Sequence, residues 1–130
     1  MKKRTLENGI KGNFEGPDAP VVYIVQKQMR FDRDAGELVP RFDLEPAEQF
    51  GRFEYLLSPS ASPFKPQSVL DDLHRRLVKY SSKDHLLLIG NPCLIGFAVT
   101  VAAHYNNGRV NLLQWSGKDQ AYLKISAETY

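Results

Sequence analysis

The chain has 130 residues, 42% of them hydrophobic and 25% charged, and its formal net charge is +2. That length suits one domain with one core, and the composition lies far from that of a disordered chain. The small positive excess gathers in Lys2, Lys3, Arg4 and Lys11, which argues against a strongly acidic nucleic-acid mimic and against a broad basic face for a duplex.

Residues 1–20 carry Asn8-Gly9, Gly12-Asn13, Gly16-Pro17 and Pro20 with few apolar residues, so they read as a flexible tail. The remainder, 21–130, reads as a single α/β domain. Val21-Val22-Tyr23-Ile24-Val25 is β-branched and aromatic without alternation, the pattern of a buried strand. Asp32 to Glu37 then separates it from Leu38 to Phe42 as in a hairpin, with Pro40 confining the second arm to an edge. The Asp32-x-Asp34-x-Gly36 spacing is that of a turn, since no glutamate closes a calcium loop at the twelfth position. Glu45 to Glu48 predicts one helical turn, and Phe53, Tyr55 and Leu57 alternate with Arg52, Glu54 and Leu56 as in a strand.

After the loop Ser58 to Pro63, Val69, Leu70, Leu73, Leu77 and Tyr80 recur at helical spacing, predicting a helix near 66–80. His85 to Ile89 is apolar on both faces, the mark of a central parallel strand. Gly90-Asn91-Pro92 ends it, with Asn91 as N-cap and Pro92 at the first helical position. The helix 93–105 is apolar nearly all round and is expected to be largely buried, until Asn106-Asn107-Gly108 stops it. Val110 to Trp115 and Tyr122 to Ile125 are the last strands. These elements predict a small three-layer Rossmann-like α/β domain, with a mainly parallel sheet and an edge hairpin.

Ligands of open parallel sheets bind beyond the carboxyl ends of the strands, near helix N-termini. Two loops qualify, and the candidate ligand-binding residues are Ser58, Ser60 and Ser62 in one and Gly90, Asn91 and Cys93 in the other. A phosphate or nucleotide is the ligand such a crevice would take, while a plain strand-to-helix turn at Gly90-Asn91-Pro92, which needs no ligand, is the favoured alternative. Gly90 is expected to accept a bulky side chain at little cost to stability, provided that its φ is negative. No glycine-rich phosphate fingerprint is present.

Cys93 is the one nucleophile that stands out, because the start of a helix lowers a thiol's pKa; burial as a small hydrophobe is the expected alternative. A single cysteine forms no intrachain disulfide, and no apolar run reads as a signal peptide or membrane span, so a cytoplasmic protein without membrane contact is expected. His74, His85 and His104 lack metal-ligand spacing, and neither a metal nor a cofactor is expected. Trp115 reads as core, with stacking on a base as the sharper alternative.

The stretch from His85 to Ile125 resembles short α/β proteins encoded by tailed bacteriophages: an apolar strand, a Gly-Asn-Pro turn, a buried helix, a Leu-Leu-Gln-Trp strand and a Tyr-Leu-Lys-Ile ending. Through Gly90, Pro92, Ala98, Trp115 and Tyr122 it also resembles one repeat of a SAVED cyclic-nucleotide sensor domain. It departs from that pattern because a sensor domain carries two such halves and an effector.

The expected function is a noncatalytic binding module, a phage accessory protein acting in the host cytoplasm on a host protein or a nucleotide. The rival is a small nucleotide-directed hydrolase or transferase using Cys93 or Glu54 beside the serine loop. A third reading is nucleic-acid association through the basic tail, which salt would weaken. Pairing across the edge near Tyr122 to Ile125 would give a homodimer.

Overall fold

A computed structural model describes residues 14–130, so the basic residues of the expected tail lie outside the described residues. Near position 20, the end expected for that tail, residues 16–19 form a turn, and the Pro20 carbonyl accepts from the Arg52 amide at 3.1 Å.

β1 (Val21–Gln26) is buried along its whole length because it has a strand on each side and cover on both faces. The other elements are β2 (Met29–Asp32), β3 (Glu37–Pro40), a 3-10 helix (Glu45–Phe50), β4 (Arg52–Leu57), α1 (Pro66–Leu77), β5 (His85–Leu87), α2 (Pro92–Tyr105), β6 (Arg109–Ser116) and β7 (Ala121–Glu128). The main sheet has five strands in the order β4-β1-β5-β6-β7, parallel except for the β6–β7 pair. It makes a mixed α/β domain.

Connections between parallel strands are right-handed almost without exception. The steps β4 to β5 and β5 to β6 run in one direction across the sheet, so their helices share a face. The step β1 to β4 runs the other way, and its connection belongs on the opposite face.

The cores agree. Tyr23, Val25 and Leu86 pack with Leu73 and Leu77 of α1 and with Leu94, Ala98 and Val101 of α2. Val22, Ile24, Leu87 and Leu113 pack instead with Ala47, Leu44 and Phe50 in and around the 3-10 helix. The mainly parallel α/β sheet is as expected, and the Rossmann-like part is not confirmed, since the long helices share one face: strand order decides the faces, and local sequence does not report strand order.

The hairpin also differs. It forms around Gly36 (φ +70°), but its arms are β2 and β3, which make their own two-stranded antiparallel sheet. β1 is already flanked by β4 and β5, so it has no free side for a hairpin partner. α2 is capped as expected, with the Asn91 side chain accepting from the Cys93 and Leu94 amides. Ile95, Phe97 and Val99 are only partly buried, because α2 lies on the sheet with one side turned outward.

His85 opens β5 with 7% of its surface exposed, its ring centroid 5.3 Å from that of Phe50. Both ring nitrogens are buried without a partner among the described residues. Burial, then the Lys124 charge, holds the imidazole below its ordinary pKa, and Asp84 opposes them. The unfolded chain therefore binds the proton first. Stability from this group is complete above about pH 6.5 and falls as the pH drops toward the folded value, by up to about 1.4 kcal/mol per pH unit. Urea unfolding between pH 7 and 5 is expected to show a shallower loss for His85→Leu than for the wild type; equal slopes would refute this account.

Candidate functional site: a cleft beyond the strand ends

Where neighbouring parallel strands send their connections to opposite faces, a crevice opens at their carboxyl ends. In this sheet that point lies between β1 and β5. Gln26, the last residue of β1 and 3% exposed, fills it. Its Nε2 donates to the carbonyls of Ser58 (3.1 Å), Ala61 (3.3 Å) and Pro59 (3.4 Å). Its Oε1 accepts from the Asn91 amide at 2.9 Å and from Gln28 Nε2 at 3.3 Å. The two loops singled out in the sequence are thus brought to one glutamine, although β4 and β5 are not neighbours.

The polar groups of these loops have partners. Ser58 Oγ and Ser60 Oγ lie 3.1 Å apart, and Ser62 Oγ accepts from the Phe64 amide at 3.1 Å. The Asn91 side chain takes the Cys93 amide at 2.8 Å and the Leu94 amide at 3.3 Å, and the Ile95 amide donates to the Asn91 carbonyl. An anion at this helix start would have to displace the cap. Gly90 has φ +134°, and a Cβ there would lie 2.6 Å from Gln26 Cβ, so the condition for accepting a bulky side chain is not met. Cys93 is exposed rather than buried, because the first turn of α2 projects past the end of β5. Glu54 is held by Arg52 at 2.6 Å.

The open space lies on the other face of the same strand ends. A cleft of about 660 Å³ is lined by Leu88, Ile89 and Gly90 after β5, by Gln28 and Arg41 to Asp43 at the base of the hairpin, by Pro46, and by Trp115, Gln120 and Tyr122 at the β6–β7 turn. That volume is in the range of small-ligand sites, roughly 300–1,000 Å³. Of the six candidate residues of the two loops, Gly90 alone lines it, joined by Trp115, whose alternative reading is stacking on a base.

Each wall is held from its own backbone. The Arg41 amide donates to the Gln28 carbonyl at 2.9 Å, joining the two ends of the hairpin, and the Arg41 guanidinium lies 5.5 Å from the Phe42 ring. Asp43 accepts from the Glu45 amide at 3.0 Å in the turn that leads into the 3-10 helix. Gln120, at φ +52°, donates to the Gly117 carbonyl at 2.7 Å. Trp115 is 43% exposed and meets Tyr122 edge-on at 5.0 Å, so it is no core tryptophan. Burial, then Asp43, pushes the Tyr122 phenol up.

The family model described as Phage Pam3 gp32-like protein matches residues 20–129. The chain belongs to this family. The Phage Pam3 gp32-like match spans every strand of the sheet and every residue of the cleft. It bears out the bacteriophage resemblance and gives no support to the likeness to a sensor repeat. No curated protein and no solved structure matches the chain. Among the described residues no helix is long and apolar enough to cross a membrane, and no group of three or more His, Cys, Asp or Glu side chains could hold a metal ion.

Sequence reasoning missed Arg41, Gln28 and Gln120 in this cleft. Trp115 did leave a signal, since it immediately precedes the Ser116-Gly117-Lys118 turn at the carboxyl end of its strand, where side chains face the ligand end of a parallel sheet.

Proposed function

We propose that this phage protein is a noncatalytic binding module whose cleft takes a nucleotide-like ligand, a planar ring bearing an anionic group. The observation that carries this reading is a half-exposed tryptophan and an arginine in one cleft at the carboxyl end of the sheet. Trp115 offers a flat face for a base, and base–aromatic stacking contributes about 1–3 kcal/mol. Arg41 supplies the positive charge for a phosphate, and Gln28 and Gln120 present amides that both donate and accept. The lining is a set for recognition, and its one carboxylate, Asp43, already accepts from the Glu45 amide.

A thermal-shift screen with mono- and dinucleotides tests it. A ligand at a hundred times its dissociation constant adds roughly 2.7 kcal/mol, which for a domain of this size raises the melting temperature by several degrees. Trp115→Ala is expected to weaken the ligand found by about 5- to 150-fold, the equivalent of the stacking energy. A screen in which no nucleotide shifts the wild type, or in which Trp115→Ala responds as the wild type does, would overturn the reading and leave a host protein as the partner to seek.

A further inference from the structure

We propose that the free edge of β7 is a self-association surface, on which β7 of a second copy pairs antiparallel about a two-fold axis at Ser126, with Lys124 of each chain opposite Glu128 of the other. Nothing in this proposal depends on what the cleft binds.

β7 is the last strand of the sheet and runs for eight residues, and among the described residues no strand lies beyond it. Among the described residues its backbone pairs on one side only, with β6. The Thr129 amide donates to the Gly108 carbonyl at 2.6 Å, which fixes the alternation of the ladder with β6. The odd-numbered residues of β7 therefore bond inward, and the amides and carbonyls of Tyr122, Lys124, Ser126 and Glu128 point outward. A row of free backbone groups of this length is a template for another strand.

The side chains choose the partner and the register. An isologous pair must place outward-bonding residues opposite one another, which an axis at any central residue satisfies; at Leu123 the Lys124 side chain would face Tyr122, and the other positions are Lys124, Ile125 and Ser126. At Lys124 two ammonium groups meet. At Ile125 Lys124 faces Ser126, and Glu128 faces the aromatic ring of Tyr122. At Ser126 Lys124 faces Glu128 twice over, Ile125 meets Ala127, and Ser126 meets itself.

A lysine in the middle of an edge strand ordinarily discourages pairing. In this register the same lysine is answered by an opposite charge. Glu128 already lies 3.4 Å from Arg109 on the neighbouring strand, so pairing would set it between two cations. On the helical face, Leu123 and Ile125 are 45% and 44% exposed, and pairing would cover Ile125 with the partner's strand.

Sedimentation velocity over a range of concentrations tests the register by charge reversal. The wild type is expected to dimerise, and Lys124→Glu and Glu128→Lys each to weaken the dimer by roughly tenfold or more, because like charges then face each other. The double variant K124E/E128K is expected to restore it. Far-UV circular dichroism confirms that every variant is folded. A wild type that stays monomeric at the highest concentration reached, a K124E variant that dimerises as the wild type does, or a double variant that fails to recover would each overturn the proposal.

Discussion

Gln26→Leu is expected to lower the unfolding free energy by about 2–4 kcal/mol, although leucine fills much the same space and Gln26 is almost fully buried. The side chain joins three strand ends: its own, the loop after β4 through the Ser58, Pro59 and Ala61 carbonyls, and the loop after β5 through the Asn91 amide. Leucine leaves these groups inside the protein with nothing to bond. The cost is set by those abandoned partners, and against a typical total of about 5–15 kcal/mol it is large. Gln26→Glu is expected to be no better, because a carboxylate would face the same carbonyls without a proton to offer. Urea denaturation gives both values, and a loss below about 1 kcal/mol for Gln26→Leu would show that the loops do not rely on this residue.

Gly90→Ala is expected to cost about 3 kcal/mol or more, from a single methyl group. A φ of +134° lies where L side chains are strained by roughly 1–3 kcal/mol, and the new Cβ would sit 2.6 Å from Gln26 Cβ at the end of a central strand. Neither atom can withdraw without breaking the bridge that Gln26 makes. Gly96 is the contrast: it lies within α2 with open space around its Cα, so Gly96→Ala is expected to stabilise by about 0.5–1 kcal/mol through helix propensity. Thermal unfolding of the two variants is expected to move the midpoint in opposite directions. A shift of the same sign in both would show that backbone conformation and space do not decide these positions.

The elements were legible where neighbouring residues determine them. The unbroken apolar run of β1, the periodicity of α1 and the Asn91-Pro92 start of α2 are properties of a few consecutive side chains, and each element stands where its pattern put it. β5 is shorter than its apolar run, ending at Leu87, because beyond it the Ile89 amide turns back to the Leu87 carbonyl. The side of the sheet to which each connection crosses depends on strand order, which no local pattern carries.

The site follows the same division. Both carboxyl-end loops could be read, since their glycine, asparagine and serine content is local chemistry. Gln26 could not be read as the residue between them, because its partners in the two loops lie 32 to 65 positions away along the chain. Arg41 and Trp115 reach one cleft only because the fold brings the hairpin base and the end of β6 to its two sides. The one hint at Gln26 was a polar residue extending a fully apolar strand, a position where burial demands partners from elsewhere.

The separate two-stranded sheet has a meaning for how this protein can change. The segment from Lys27 to Leu44 leaves β1 and returns toward β4 without contributing a strand to the main sheet, yet it carries Gln28, Arg41, Phe42 and Asp43 to the rim of the cleft. Its length and its tip can vary while the pairing of every core strand stays as it is. The hairpin's share of the cleft rim and the pairing of the core strands therefore reside in different stretches of the chain, and a phage lineage can alter the first at small expense to the second.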